Sequence, residues 1–93
     1  MTQTVAEVLT AATDSVTVIT DINTNGKKSI HVGGSSEQDT DMSQADINST
    51  VQRNVDHLEI ILEYTDPDVK GSSDDKSSYT SAITTGKAYI AAN

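Results

Sequence analysis

Apolar residues fall into a helical rhythm most clearly between Ser43 and Tyr64. Ile47, Val51, Val55, Leu58 and Leu62 recur there at steps of four, four, three and four, with Ile61 beside them. That is the spacing of a helix burying one stripe, so a central helix is predicted over about 43–64. Ser43 followed by Asp46 resembles a capping box, and Asp66-Pro67 supplies a stop, because proline disfavours helical backbone in the residue before it. A competing pattern lies inside this segment: Leu58, Ile60, Leu62 and Tyr64 alternate with Glu59, Ile61 and Glu63, as in a strand. Helix is preferred because its period begins well upstream and Glu and Leu are good helix formers.

Upstream, Thr4 and Glu7 fit a capping box, and Val5, Val8, Leu9 and Ala12 follow at helical spacing. A short helix is predicted over about Val5–Thr13, broken by Asp14-Ser15. From Val16 the period becomes two: Val16, Val18, Thr20 and Ile22 share one face, and Thr17, Ile19 and Asp21 the other. Asn23-Thr24-Asn25-Gly26 reads as a turn and Ser29-Ile30-His31-Val32 as a second alternating run, which predicts a two-stranded antiparallel β-hairpin over about 15–33. A two-residue Asn25-Gly26 loop would set the charge of Asp21 opposite Ile30. A three-residue loop, Thr24 to Gly26 with Gly26 left-handed, pairs Thr20 with Ile30 and Val18 with Val32 and is the register expected.

Gly33 to Asp41 is polar, glycine-led and aperiodic, so it reads as a loop, and Thr65 to Lys76 as a linker. Beyond it, Tyr79, Ala82, Ile83, Gly86, Tyr89 and Ile90 mark a C-terminal helix over about 76–91, capped by Asp75 or Ser77. Gly86 inside that helix costs about 1 kcal/mol relative to alanine and needs a reason. Ala82 and Gly86, four apart, leave a flat strip on which another helix can lie closely, and the central helix is the expected neighbour in an antiparallel helical hairpin. The predicted fold class is therefore α+β, in a single small domain over 1–93.

Composition changes this picture in one respect. With 93 residues, no Phe, Trp or Cys, and three tyrosines as the whole aromatic complement, the core is thin and has no disulfide staple. A two-stranded hairpin also leaves open edges. Small domains in this position gain burial from neighbouring subunits, which points to an assembly component. Ten Asp and four Glu against six Lys plus Arg give a net charge of −8. Such a surface repels phosphate backbones, so direct nucleic-acid binding is not expected. No stretch reaches the roughly 18 apolar residues of a membrane span, and the N-terminus lacks the charged and apolar regions of a leader, so a soluble, unprocessed chain is expected.

Candidate chemistry is sparse. Glu37, Asp39, Asp41 and Asp46 suggest calcium, but with Asp39 in first position Gln44 stands where the calcium loop needs glycine and Thr50 where it needs glutamate. Gly33-Gly34 lacks the Lys-Ser/Thr of a phosphate loop, and His57 has no nucleophile or second ligand placed beside it. No catalytic residue, cofactor site or metal site is assigned, and the chain is not expected to be an enzyme. On a helical wheel Arg53, His57, Ile60 and Tyr64 cluster opposite Ile47 and Val51, and this face, with Lys27-Lys28 at the predicted hairpin tip, forms the candidate interface.

The pieces Asn54-Val55-Asp56-His57-Leu58-Glu59 and Gly86-Lys87-Ala88-Tyr89-Ile90-Ala91-Ala92 resemble short uncharacterised proteins encoded among the structural genes of marine tailed bacteriophages. The resemblance lies in the last half of the chain and carries over no functional residue. It implies a virion component, such as a capsid decoration or cement protein or a head-tail joining part, located in the virion; without it a soluble cytoplasmic protein is expected. The partners expected are proteins: copies of this chain, or a capsid or tail protein. The alternative reading is a small acidic binding protein, a nucleic-acid-mimicking inhibitor or an assembly factor.

Overall fold

The computed structural model describes residues 5–63 and 73–93. Three α-helices account for most of them: α1 (Val5–Asn25), α2 (Gln44–Glu63) and α3 (Ser73–Ala92), with two single 3₁₀ turns, Gly26–Lys28 and Ile30–Val32, after α1. Among the described residues there is no strand, so the predicted β-hairpin and the α+β class are replaced by an all-helical fold. Tyr64, the Asp66-Pro67 stop, the Thr4 cap and most of the predicted linker lie outside the described residues.

The predicted short helix continues for the whole length of the expected first strand, and the reason lies in α1 itself. Among its described side chains the buried ones are Ala12, Ser15, Ile19 and Ile22, a three-four-three stripe. Ser15 does not break the helix, because its side chain is small enough to face the core. Val16 and Val18, which the alternating reading put inside a hairpin, are only partly buried. Each β-branched residue costs a helix only about half a kcal/mol relative to alanine, and packing on two neighbouring helices outweighs the sum. Threonine hydroxyls are also absorbed by the helix: Thr17 donates to the Thr13 carbonyl at 3.0 Å and Thr20 to the Val16 carbonyl at 2.9 Å.

Gly26 has φ +57°, as the sequence requires, but in a different role. It ends a helix instead of turning a hairpin; both uses need the left-handed region that glycine enters freely. Thr20 and Ile30 are not paired, nor are Val18 and Val32. Ile30 sits in the second 3₁₀ turn and is 73% exposed, while Val32 is buried. The segment that follows folds back onto these turns: the Thr40 amide donates to the Lys27 carbonyl at 2.7 Å and the Gly34 amide to the Ser29 carbonyl at 2.9 Å. A Cβ on Gly34 would collide with the Lys27 and Lys28 backbone, so this connector is packed against the turns.

α2 begins where its cap predicts. Ser43 Oγ accepts from the Asp46 amide at 3.2 Å. Ile47, Val51, Val55, Leu58 and Ile61 are buried, with Leu62 half-buried at the margin of the stripe. α3 starts at Ser73, so Asp75 and Ser77 lie inside the helix and are not its caps. Among its described side chains the buried face is Tyr79, Ala82, Gly86 and Tyr89. Gln44 Nε2, at the start of α2, donates to Tyr89 Oη near the end of α3 at 2.9 Å, and Gly86 lies against Val51 and Val55, so these two helices run antiparallel. Ile19 of α1 also approaches Gly86, which makes this glycine the point where all three helices of the up-down-up bundle come together.

Candidate functional site

Two regions concentrate polar or exposed apolar groups that a simple bundle does not need. The first is at the end of α1. Asp21 Oδ2 accepts from Ser29 Oγ at 2.5 Å and lies 2.8 Å from His31 Nδ1, while Oδ1 accepts from Asn25 Nδ2 at 2.5 Å. A carboxylate offers no hydrogen, so His31 Nδ1 must carry one. Ser29 is buried, and its Oγ also accepts from the His31 amide at 3.1 Å. Asp21 thus clamps both 3₁₀ turns to the last turn of α1. The residue types are those of a hydrolase triad, but the connections differ. Serine and histidine both bond to the carboxylate, and the serine proton points at Asp21, so the histidine does not activate the serine.

The donated hydrogen bonds, that from Ser29 first and that from His31 second, hold the Asp21 carboxyl below its ordinary value of 3.8. A depressed carboxyl adds stability that is fully present above the unfolded-state pKa and is lost as pH falls through the folded one. The contribution should therefore be constant above about pH 5 and disappear on further acidification. Thermal melts across this range, run on wild type and Asp21→Asn, should converge at low pH. At neutral pH Asp21→Ala should cost about 1–2 kcal/mol, the scale of hydrogen bonds to a charged acceptor at a partly exposed site. A difference between wild type and Asp21→Asn that does not shrink with acid would show that the carboxylate charge is unimportant.

The second region is the outward side of α2. Ile60 is 54% exposed, His57 and Arg53 are exposed one and two turns before it, and Arg53 Nη2 donates to Thr50 Oγ1 at 3.3 Å. Beside them Lys87 of α3 pairs with Glu59 at 3.5 Å, an exposed contact of small energetic weight. Lys27 and Lys28 are exposed in the first 3₁₀ turn and not at a hairpin tip. They lie at the end of the bundle where α1 stops and α2 starts. Roughly 24 Å of helix separates Gln44 from Ile60, so the structure does not bring the lysine pair and the α2 face into one surface. Ala82 and Gly86 are both buried, with Gly86 against α2.

Glu37, Asp39, Asp41 and Asp46 are exposed, and among the described residues no three His, Cys, Asp or Glu side chains converge as a metal would need. No helix among the described residues is long and apolar enough to cross a membrane. Sequence reading missed the Asp21 clamp because Asp21 entered it only as a charge to be kept away from Ile30. A signal was present: an aspartate one turn before an Asn-Gly helix stop, with serine and histidine following within reach. No protein-family model, curated protein or solved structure matches this chain.

Proposed function

We propose that this chain is a structural protein of a larger assembly, acting by protein-protein contact, and that the assembly is a bacteriophage virion in which it serves as a decoration, cement or joining component. The observation that carries the contact role is Ile60, a large aliphatic side chain more than half exposed on α2, with two exposed side chains able to hydrogen bond, His57 and Arg53, one and two turns before it on the same face. An apolar centre with a polar, arginine-containing rim is the composition of a protein interface. The unpaired hairpin edges that favoured assembly at the sequence level fall away with the strands, and the exposed isoleucines take their place as support. The virion setting rests on the resemblance in the last half of the chain. Its partner is a protein surface, because the acidic chain disfavours nucleic acid.

Co-sedimentation with native particles tests this reading. The protein should travel with them in a symmetric copy number, and Ile60→Asp should leave it in the soluble fraction.

A further inference from the structure

Asn25 is the only asparagine in the chain followed by glycine. That pair has a chemistry of its own. The Gly26 backbone nitrogen attacks Asn25 Cγ, a C–N bond forms, the Cγ–Nδ2 bond breaks and ammonia leaves; the Gly26 nitrogen gives up its proton. Water then opens the five-membered imide at one carbonyl to give aspartate or at the other to give isoaspartate. No oxidant, reductant or cofactor is required. A following glycine favours the attack because no Cβ crowds its nitrogen, and here nothing lies within 4 Å of where a Gly26 Cβ would stand.

Two features hold this reaction back in the folded chain. Asn25 has φ −106° and ψ −15°, a helical geometry that turns the Gly26 nitrogen away from Cγ, and closing the ring needs ψ to rotate far outside the helical region. The leaving amide is also pinned, since Nδ2 donates to Asp21 Oδ1 at 2.5 Å. Both restraints last only while the last turn of α1 stays wound. Asp21 keeps it wound by binding Ser29 and His31 with its other oxygen.

We propose that Asn25 is a self-modification site, a latent deamidation switch that the Asp21, Ser29 and His31 clamp keeps closed and that locks the clamp open once it has fired. The product explains the one-way character. A carboxylate at position 25 replaces the donor amide and meets the Asp21 carboxylate at hydrogen-bond distance, where like charges repel. Isoaspartate in addition inserts a carbon into the backbone at the helix end. Either product removes a hydrogen bond from the clamp and weakens its hold on the turns that carry Ile30.

The test is peptide mapping by mass spectrometry of the full chain held at neutral pH, folded and in urea, with isoaspartate scored separately by an isoaspartyl methyltransferase assay. Wild type should convert at Asn25 many-fold more slowly folded than unfolded. Ser29→Ala and His31→Ala should each convert several-fold faster than folded wild type. Should Ser29→Ala lose its helical signal, the His31→Ala chain, altered at a less buried position, decides the comparison. Asn25→Asp should speed hydrogen exchange at the Ser29 and Gly34 amides, which bond to the Gly26 and Ser29 carbonyls. Equal rates in folded and unfolded wild type, or a folded His31→Ala chain no faster than wild type, would overturn the latch. Unchanged exchange in Asn25→Asp would overturn the locking step.

Discussion

Replacing Gly86 by leucine should remove about 3 kcal/mol of stability, and in a chain of this size that is a large part of the total. A Cβ at this position would stand 2.5 Å from Val55 Cγ2, 3.2 Å from Val51 Cγ1 and 3.4 Å from Ile19 Cγ2. All three neighbours are β-branched, so none can swing a flexible end aside, and two belong to α2 while the third belongs to α1. Even one methyl group forces a helix to shift, and three further carbons cannot be housed without separating α3 from both partners. Leucine is the better helix former by nearly 1 kcal/mol, so propensity alone predicts stabilisation and packing predicts the reverse. Thermal melting decides between them: a fall of ten degrees or more, about the equivalent of 2–3 kcal/mol in a domain of this length, is expected. An unchanged or raised midpoint would place position 86 at the surface.

Leu58→Ala should be the most damaging truncation on α2, costing about 2–5 kcal/mol, whereas Ile60→Ala should stay within about 0.5 kcal/mol of wild type. The two residues are two apart, and a strand would put them on one face. The helix separates them: Leu58 is 0% exposed and Ile60 is 54% exposed. Leu58 lies in the buried stripe of α2 between Val55 and Ile61, so removing its methyl groups leaves a cavity in a close-packed core. Denaturant melts of both variants test the contrast. Similar losses at 58 and 60 would mean that both side chains are buried and that the outward face of α2 is assigned wrongly.

Segments with a single apolar period were legible in the sequence. α2 follows three-four spacing from Ile47 and α3 from Tyr79, and their predicted limits fall within a few residues of those observed, Gln44–Glu63 and Ser73–Ala92. The second half of α1 was not legible because two periods coincide there. Ile22 belongs to the alternating set with Val16, Val18 and Thr20 and also to the helical set with Ala12, Ser15 and Ile19. The β-branched residues of this run favour the first reading locally, and only contacts with distant helices select the second. Asn25-Gly26 added to the ambiguity, since a positive φ at Gly26 serves a hairpin turn and a helix end equally well. Of the candidate site, Ile60 stood out by elimination, as the aliphatic residue outside the stripe on the helical wheel. The Asp21 clamp joins residues eight and ten apart through a turn whose course depends on α1 being a helix, so the error in α1 hid it.

The central proposal is that this protein works by being bound, and the most direct measurement is the native mass of the complex it occupies, for wild type and for Ile60→Asp. Position 60 is exposed, so the substitution should leave the helical spectrum and melting midpoint close to those of wild type. Wild type should be found in a large complex with a symmetric copy number, and Ile60→Asp should appear as the released, folded chain. A wild-type chain that is a stable folded monomer at micromolar concentration, with no companion in its native particle or lysate and no change on Ile60→Asp, would contradict the proposal.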